Sequence, residues 1–148
     1  MSEANKQIAR RFFEEAVNKR RPEILDELLA KSYVSHQPGG LTIEGPAAAR
    51  ANVEGWLQGV PDAKVTVEQE IAEGAFVASR LRAGGTQSGT LMGISPTNRR
   101  AEISMTHIVR IQRGKIVEDW MDADYLSYWA QLGVIELPSV LQQAMQPA

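Results

Sequence analysis

His107 and Asp119 sit on the two arms of the stretch from Ala101 to Asp124, AEISMTHIVRIQRGKIVEDWMDAD. An imidazole beside a carboxylate in an apolar setting is an acid/base device. The carboxylate orients the ring and favours its charged form, while burial opposes the charge. Such a pair suits proton abstraction next to a carbonyl or proton donation to a leaving oxygen, and a dry Asp119 can itself serve as the base. Asp122 is the next acid along and joins the same face only if a bulge shifts the strand. A plainer reading stands beside this one. His–Asp cross-strand pairs also occur as satisfied, partly buried pairs, and methionines at this spacing are commonly core filler.

A hairpin has to position these groups. Gln112-Arg113-Gly114 fits a three-residue loop with glycine at the closing position that needs positive φ. Ile111 then pairs with Lys115, His107 with Asp119, and Met105 with Met121. Ile103, Met105, His107, Val109, Val117, Asp119 and Met121 share one face, apolar but for the imidazole and the carboxylate. Thr106, Ile108, Arg110, Glu118, Trp120 and Asp122 share the other. A two-residue loop would put His107 opposite Trp120 and turn Asp119 away.

The rest of the chain bounds the class. Its 148 residues suffice for one domain with a core and a pocket. A net charge of −2 gives no electrostatic case for nucleic acid or an anionic membrane, and the absence of cysteine excludes disulfides and thiol chemistry. The start, MSEANKQIARRFFEE, lacks a signal-type apolar core, and no apolar run approaches the roughly 20 residues of a membrane span. A cytoplasmic protein is expected.

Ile8, Phe12, Phe13, Ala16 and Val17 recur at helical spacing, and Pro22 opens a second helix burying Ile24, Leu25, Leu28 and Leu29. Tyr33 to His36 is short and extended, followed by a Gln-Pro-Gly-Gly loop. A third helix starts at Gly45-Pro46, uses Val53, Trp56 and Leu57 as contacts, and stops at Gly59 and Pro61. From Ala63 the period becomes two. Strands are expected from Ala63, over Ala75 to Arg82, over Thr86 to Met92 after a bend or bulge at Gly84-Gly85, and through the hairpin. Asp124 caps a last helix, Tyr125 to Leu132, and Pro138 to Ala148 is expected to be a surface tail. Helices on one side of an antiparallel sheet make an α+β fold.

Several stretches together resemble the SnoaL-like polyketide cyclases of the nuclear transport factor 2-like superfamily. They are RRFFEEAVNKR, ILDELLAKSYVSH, G-T-x-x-G-x-L-x-G-I-S-P-T-N-R-R, H-I-V-R-I-x-x-G-K-I-V-E-D-W and L-x-x-x-x-Q-L-G, in that family's order over nearly the whole chain. The resemblance implies a cone-shaped barrel, a strongly bent, mostly antiparallel sheet wrapped around the N-terminal helices. It also implies a mostly apolar pocket in the mouth of the cone and a homodimer through the outer sheet surface. His107 matches the cyclases' pocket histidine. Met121 stands at the position of their acid/base aspartate, Asp119 where the family often has histidine, Met105 at a polar position and Ser35 at a pocket asparagine.

Ser35, His36, Trp56, Met105 and Met121 are therefore the substrate-contacting candidates, His36 at the pocket rim, with His107, Asp119 and Asp122 the catalytic ones. Trp120 points outward as a dimer or helix contact. Arg80, Arg82, Arg99 and Arg100 read as a solvated face neutralised by Glu68, Glu70 and Glu102. Two histidines on separate elements make no metal site, and no phosphate-binding glycine loop is present, so no cofactor is expected. Three functions follow: a cofactor-independent enzyme on an apolar, cyclic or carbonyl-bearing molecule, a non-catalytic ligand binder, or a dimeric interaction module with a filled core.

Overall fold

The computed structural model describes residues 2–144 and 146. Helix α1 (Ser2–Phe13) buries Ala9, Phe12 and Phe13, and its last turn widens into a π-type segment, Glu14–Asn18. There the Lys19 amide returns to Glu14 O at 3.1 Å. Asn18 then behaves like an extra strand residue. Its Nδ2 donates to Val65 O and its Oδ1 accepts from Val65 N, both at 2.8 Å. This clamp pins the helix end to the sheet and holds Phe12, Phe13 and Val17 over the sheet's inner face.

A short 3-10 turn, Pro22–Ile24, leads into α2 (Leu25–Leu28). Ile24, Leu25, Leu28 and Leu29 are all buried, but Leu29 already belongs to β1 (Leu29–Gln37). The expected glycine loop is only a turn before β2 (Leu41–Glu44). Helix α3 (Pro46–Gly59) follows Gly45, whose φ of 83° is open to glycine and costly for other residues. Strands β3 (Lys64–Glu73), β4 (Phe76–Thr86), β5 (Arg100–Gln112) and β6 (Lys115–Ala123) complete an open sheet of order β2-β1-β6-β5-β4-β3. Every described pairing is antiparallel except β1 with β6. Helix α1 packs across β3, β4 and β6, and α2 against β1 and β6, so the helices fill one concave face. The fold is α+β, as the change of period at Ala63 predicts.

Asp124 caps α4 (Tyr125–Gln131), accepting from the Ser127 amide at 3.1 Å. The tail contains a short exposed helix, α5 (Ser139–Ala144). Met145, Pro147 and Ala148 of the expected tail lie outside the described residues.

Two expectations about the strands are corrected. Gly84-Gly85 does not bend the chain: β4 continues through both to Thr86, and the irregularity lies in β3, between Val67 and Gln69. The glycine serves close approach instead, because a Cβ on Gly85 would lie 2.5 Å from Val60 Cγ1. Residues 87–99 form no strand beyond an isolated Leu91–Ile94 bridge. They fold around fully buried Gln87, whose Nε2 donates to Gly89 O, Ile94 O and Ser95 O at 3.0, 3.1 and 3.1 Å. Its Oε1 accepts from Thr97 N at 2.9 Å. One amide thus supplies the bonds that a partner strand would have given.

The hairpin is also corrected. Its loop has two residues, Arg113 at φ 51° and Gly114 at φ 74°, between the pair Gln112–Lys115. Positive φ at both loop positions gives the primed turn whose twist matches the strands. The register then slips at Val117, left over between the pairs Ile111–Ile116 and Arg110–Glu118. From there His107 faces Met121 and Asp119 faces Val109. Ile116, not Val117, therefore points into the core, and it is completely buried.

Candidate active site

Although not directly paired, His107 and Asp119 lie diagonally across β5 and β6 on the inner face. His107 Nε2 is 2.9 Å from Asp119 Oδ2, and both residues are 1% exposed. Diagonal neighbours on one face stand within reach of a ring-bearing side chain. Strand β1 adds a third member. Ser35 is the parallel partner of Asp119, so Tyr33, two residues back, shares the inner face. The Tyr33 hydroxyl donates to the same Asp119 Oδ2 at 2.6 Å.

The charge state follows from these contacts. Burial is the largest influence on Asp119 and pushes its carboxyl up. The His107 ring, then Ser35 and Tyr33, outweigh it and hold the carboxyl below its usual range. Burial, with the Asp119 charge and hydrogen bond added, pushes the Tyr33 phenol far up. Asp119 is thus an ionised acceptor and Tyr33 a donor. An ionised carboxylate only accepts, so the bridging nitrogen of His107 carries the hydrogen. In the neutral ring Nδ1 is then a bare lone pair, and it is buried with no hydrogen-bond partner among the described residues. Phe12 and Phe13 flank the imidazole with ring centroids 5.4 and 5.0 Å away, Phe13 meeting it edge-on.

His107 and Asp119 line a cavity of about 120 Å³. Its walls are largely apolar: Phe12, Phe13 and Val17 from the first helix, Val53, Trp56 and Leu57 from α3, and Ile103, Met105 and Met121 from the sheet. Its other polar lining groups are Gln37, Asn52 and Tyr125. Trp56, Met105 and Met121 are therefore where a cavity-lining role requires them.

Three other candidates lie elsewhere. Ser35 is completely buried behind the carboxylate, accepting from Gln37 Nε2 at 2.6 Å, and does not line the cavity. His36 was expected at the pocket rim, but alternation along β1 turns it to the outer face. There it stacks on Trp120 at 5.4 Å and meets Glu118 Oε2 at 2.8 Å. Asp122 pairs with Thr106 and is exposed on that same outer face, because the slip at Val117 returns the strand to its original phase before Asp119. The outer face carries a broad groove lined by Ile71, Phe76, Ile108, Trp120 and Asp122.

Sequence reasoning missed Tyr33, Gln37 and Asn52. Counting alternate residues from Ser35 would have found Tyr33 and Gln37. Asn52 precedes Val53 on α3 and carries no signal of its own. Among the described residues no three His, Asp or Glu side chains converge as metal ligands, and no helix is long and apolar enough to cross a membrane.

Comparison with known proteins adds an independent line. The family described as SnoaL-like polyketide cyclase matches residues 7–132. The chain is 34% identical over 114 residues to the aklanonic acid methyl ester cyclase DauD of Streptomyces sp. (strain C5), covering 74% of this chain and 67% of the relative. It is 33% identical over 127 residues to DnrD of Streptomyces peucetius, also an aklanonic acid methyl ester cyclase, covering 80% of this chain and 84% of the relative. Among solved structures it is similar to IdmH of Streptomyces antibioticus, with a TM-score of 0.77 and 31% identity over 87% of this chain and 98% of that one.

Proposed function

The chain belongs to the SnoaL-like polyketide cyclase family, and from that premise we propose that it is a cofactor-independent cyclase in which His107 Nδ1 is the base. The substrate class is an apolar, carbonyl-bearing ring compound, in keeping with the aklanonic acid methyl ester named for two of its relatives. One observation carries the reading: two donors converge on Asp119 Oδ2, and His107, a residue that lines the cavity, keeps a buried Nδ1 with no hydrogen-bond partner among the described residues.

In this reading His107 Nδ1 takes a proton from carbon next to a carbonyl. The resulting enolate attacks a second carbonyl carbon of the same molecule, forming the ring bond and an alkoxide. The imidazolium then returns its proton to that alkoxide, so atoms and charges balance. Asp119 holds the ring in the reactive tautomer and stabilises the imidazolium, as the buried carboxylate does in other His–Asp arrangements. Gln37, Asn52 and Tyr125, the other polar groups of the lining, are the candidates to meet a carbonyl oxygen. The base is a histidine because Met121 occupies the position where the resemblance places an aspartate.

The test reads proton abstraction directly, without the natural substrate. A β-keto ester on a naphthalene ring is incubated in deuterated buffer, and loss of its α-hydrogen is followed by proton NMR. Wild type is expected to accelerate exchange, and His107→Asn to lose at least about 100-fold, the low end of general-base contributions. Equal exchange by both proteins would overturn the assignment.

Met121 in the cavity wall also favours a second reading, a ligand binder without chemistry. It predicts binding of the same probe with no exchange. The apolar groove on the outer face supports a homodimer in either case.

A further inference from the structure

Two cavities share a wall. The cavity at His107 and a smaller one of about 30 Å³ beneath Gly84 and Gly85 share four lining residues, Trp56, Ala63, Ala83 and Ile103. Ala63 and Ala83 are too small to close a passage, and Ile103 is buried within β5. Trp56 is the remaining wall. It stands on the last turn of α3, only partly buried, with its ring against Tyr125 and Tyr128 at centroid distances of 6.4 and 5.8 Å. Such a side chain changes rotamer without moving the backbone.

Volume makes that wall matter. About 120 Å³ is of the size of the roughly 150 Å³ apolar cavity that takes one benzene ring. Sites for larger organic ligands start near about 300 Å³. A fused-ring ligand therefore enters only if a wall moves.

We infer that Trp56 is a partition that sets the length of the ligand. With the indole in the position seen, the site takes a single ring at His107. With the indole swung aside, the two cavities and the vacated space form one slot for a planar, fused-ring carbonyl compound. Its reacting end lies at His107 and its far ring lies under Gly84-Gly85, beside Ala101 and Tyr128. This inference rests on the reading of the His107 cavity as a ligand site.

The experiment compares a one-ring probe, 4-hydroxyacetophenone, with a three-ring probe, 1-hydroxyanthraquinone. Affinities are measured by calorimetry, and contacts by side-chain NMR, on wild type, Trp56→Ala and Ala101→Val. In wild type the one-ring probe should shift His107 and leave Tyr128 alone, while the three-ring probe shifts both and the Trp56 indole. Trp56→Ala should raise the preference for the three-ring probe at least ten-fold. Ala101→Val, which fills only the far cavity, should weaken the three-ring probe at least ten-fold and change the one-ring probe less than two-fold. It decides the matter even if Trp56→Ala does not fold. Equal changes for both probes would overturn the partition while leaving the ligand site intact. Failure of both probes to reach His107 in wild type would overturn the ligand-site reading and the partition with it.

Discussion

Tyr33 and His107 meet on a single atom, Oδ2 of Asp119, from opposite neighbouring strands at 2.6 and 2.9 Å. The carboxylate is thereby a fixed point, and the imidazole has one orientation. The ring orientation and the low carboxyl pKa both follow from that convergence.

Removing one donor should be felt in both stability and rate. Tyr33→Phe deletes a buried hydrogen bond to a charged acceptor, at a cost of about 1.5–3 kcal/mol in urea unfolding. The pair His107–Asp119 survives it, so α-hydrogen exchange should fall far less than in His107→Asn. Exchange lost to the same degree in both variants would make Tyr33 a direct participant.

Acid stability should depend on Asp119, and the sign is set by its direction of shift. The folded carboxyl lies below its ordinary value of 3.8. Its stabilising contribution is therefore complete above that value and is lost as pH falls through the lower, folded one. Wild type should lose its stability advantage over Asp119→Asn only in that acid window. Urea melts of both proteins from pH 6 downward check this, and an advantage that grew toward acid would contradict the assignment.

Gln87→Leu keeps the volume of a buried side chain but strands three carbonyls and one amide of the 87–99 segment. Buried unsatisfied groups of that kind cost about 2–4 kcal/mol together. Hydrogen exchange should rise across this segment and leave β5 and β6 protected. Uniform loss of protection would show that the segment is not a separate unit.

The proposed homodimer is checked by placing a charge on the groove. Phe76 is 44% exposed and Ile71 62%, beside the acids Glu73 and Asp122. Phe76→Glu adds a like charge to an apolar contact and should reduce the mass in light scattering to that of one chain. A wild type that is already monomeric would remove the proposal.

Much of this was legible beforehand, for reasons that differ by residue. Helix α1 was readable because Phe12 and Phe13 recur at helical spacing, and the α+β class because periodicity switches at Ala63. Cavity positions for Met105, Met121 and Trp56 follow from alternation and from the apolar side of α3. The turn was misread because Gly114 satisfies either loop length, and only Arg113 at positive φ separates them. His36 was misplaced because proximity in sequence to a pocket says nothing about which side of a strand a residue takes, whereas Asp122 keeps the outer face that alternation gives it because the bulge at Val117 and the shorter loop cancel. Asn52 was invisible, since a polar residue on a helix carries no mark of what it faces until the sheet is folded around it.

The slip at Val117 has a consequence beyond geometry. The shorter loop and the extra strand residue each shift the count by one, and the two odd steps add to an even one. His107 and Asp119 keep a common side only because of that arithmetic. A one-residue slip of β6 beyond Val117 would evert the acid and leave the imidazole alone with Phe12 and Phe13. At Val117 itself, however, a residue can be dropped with no such inversion, so this is the joint where the chain tolerates a change in length.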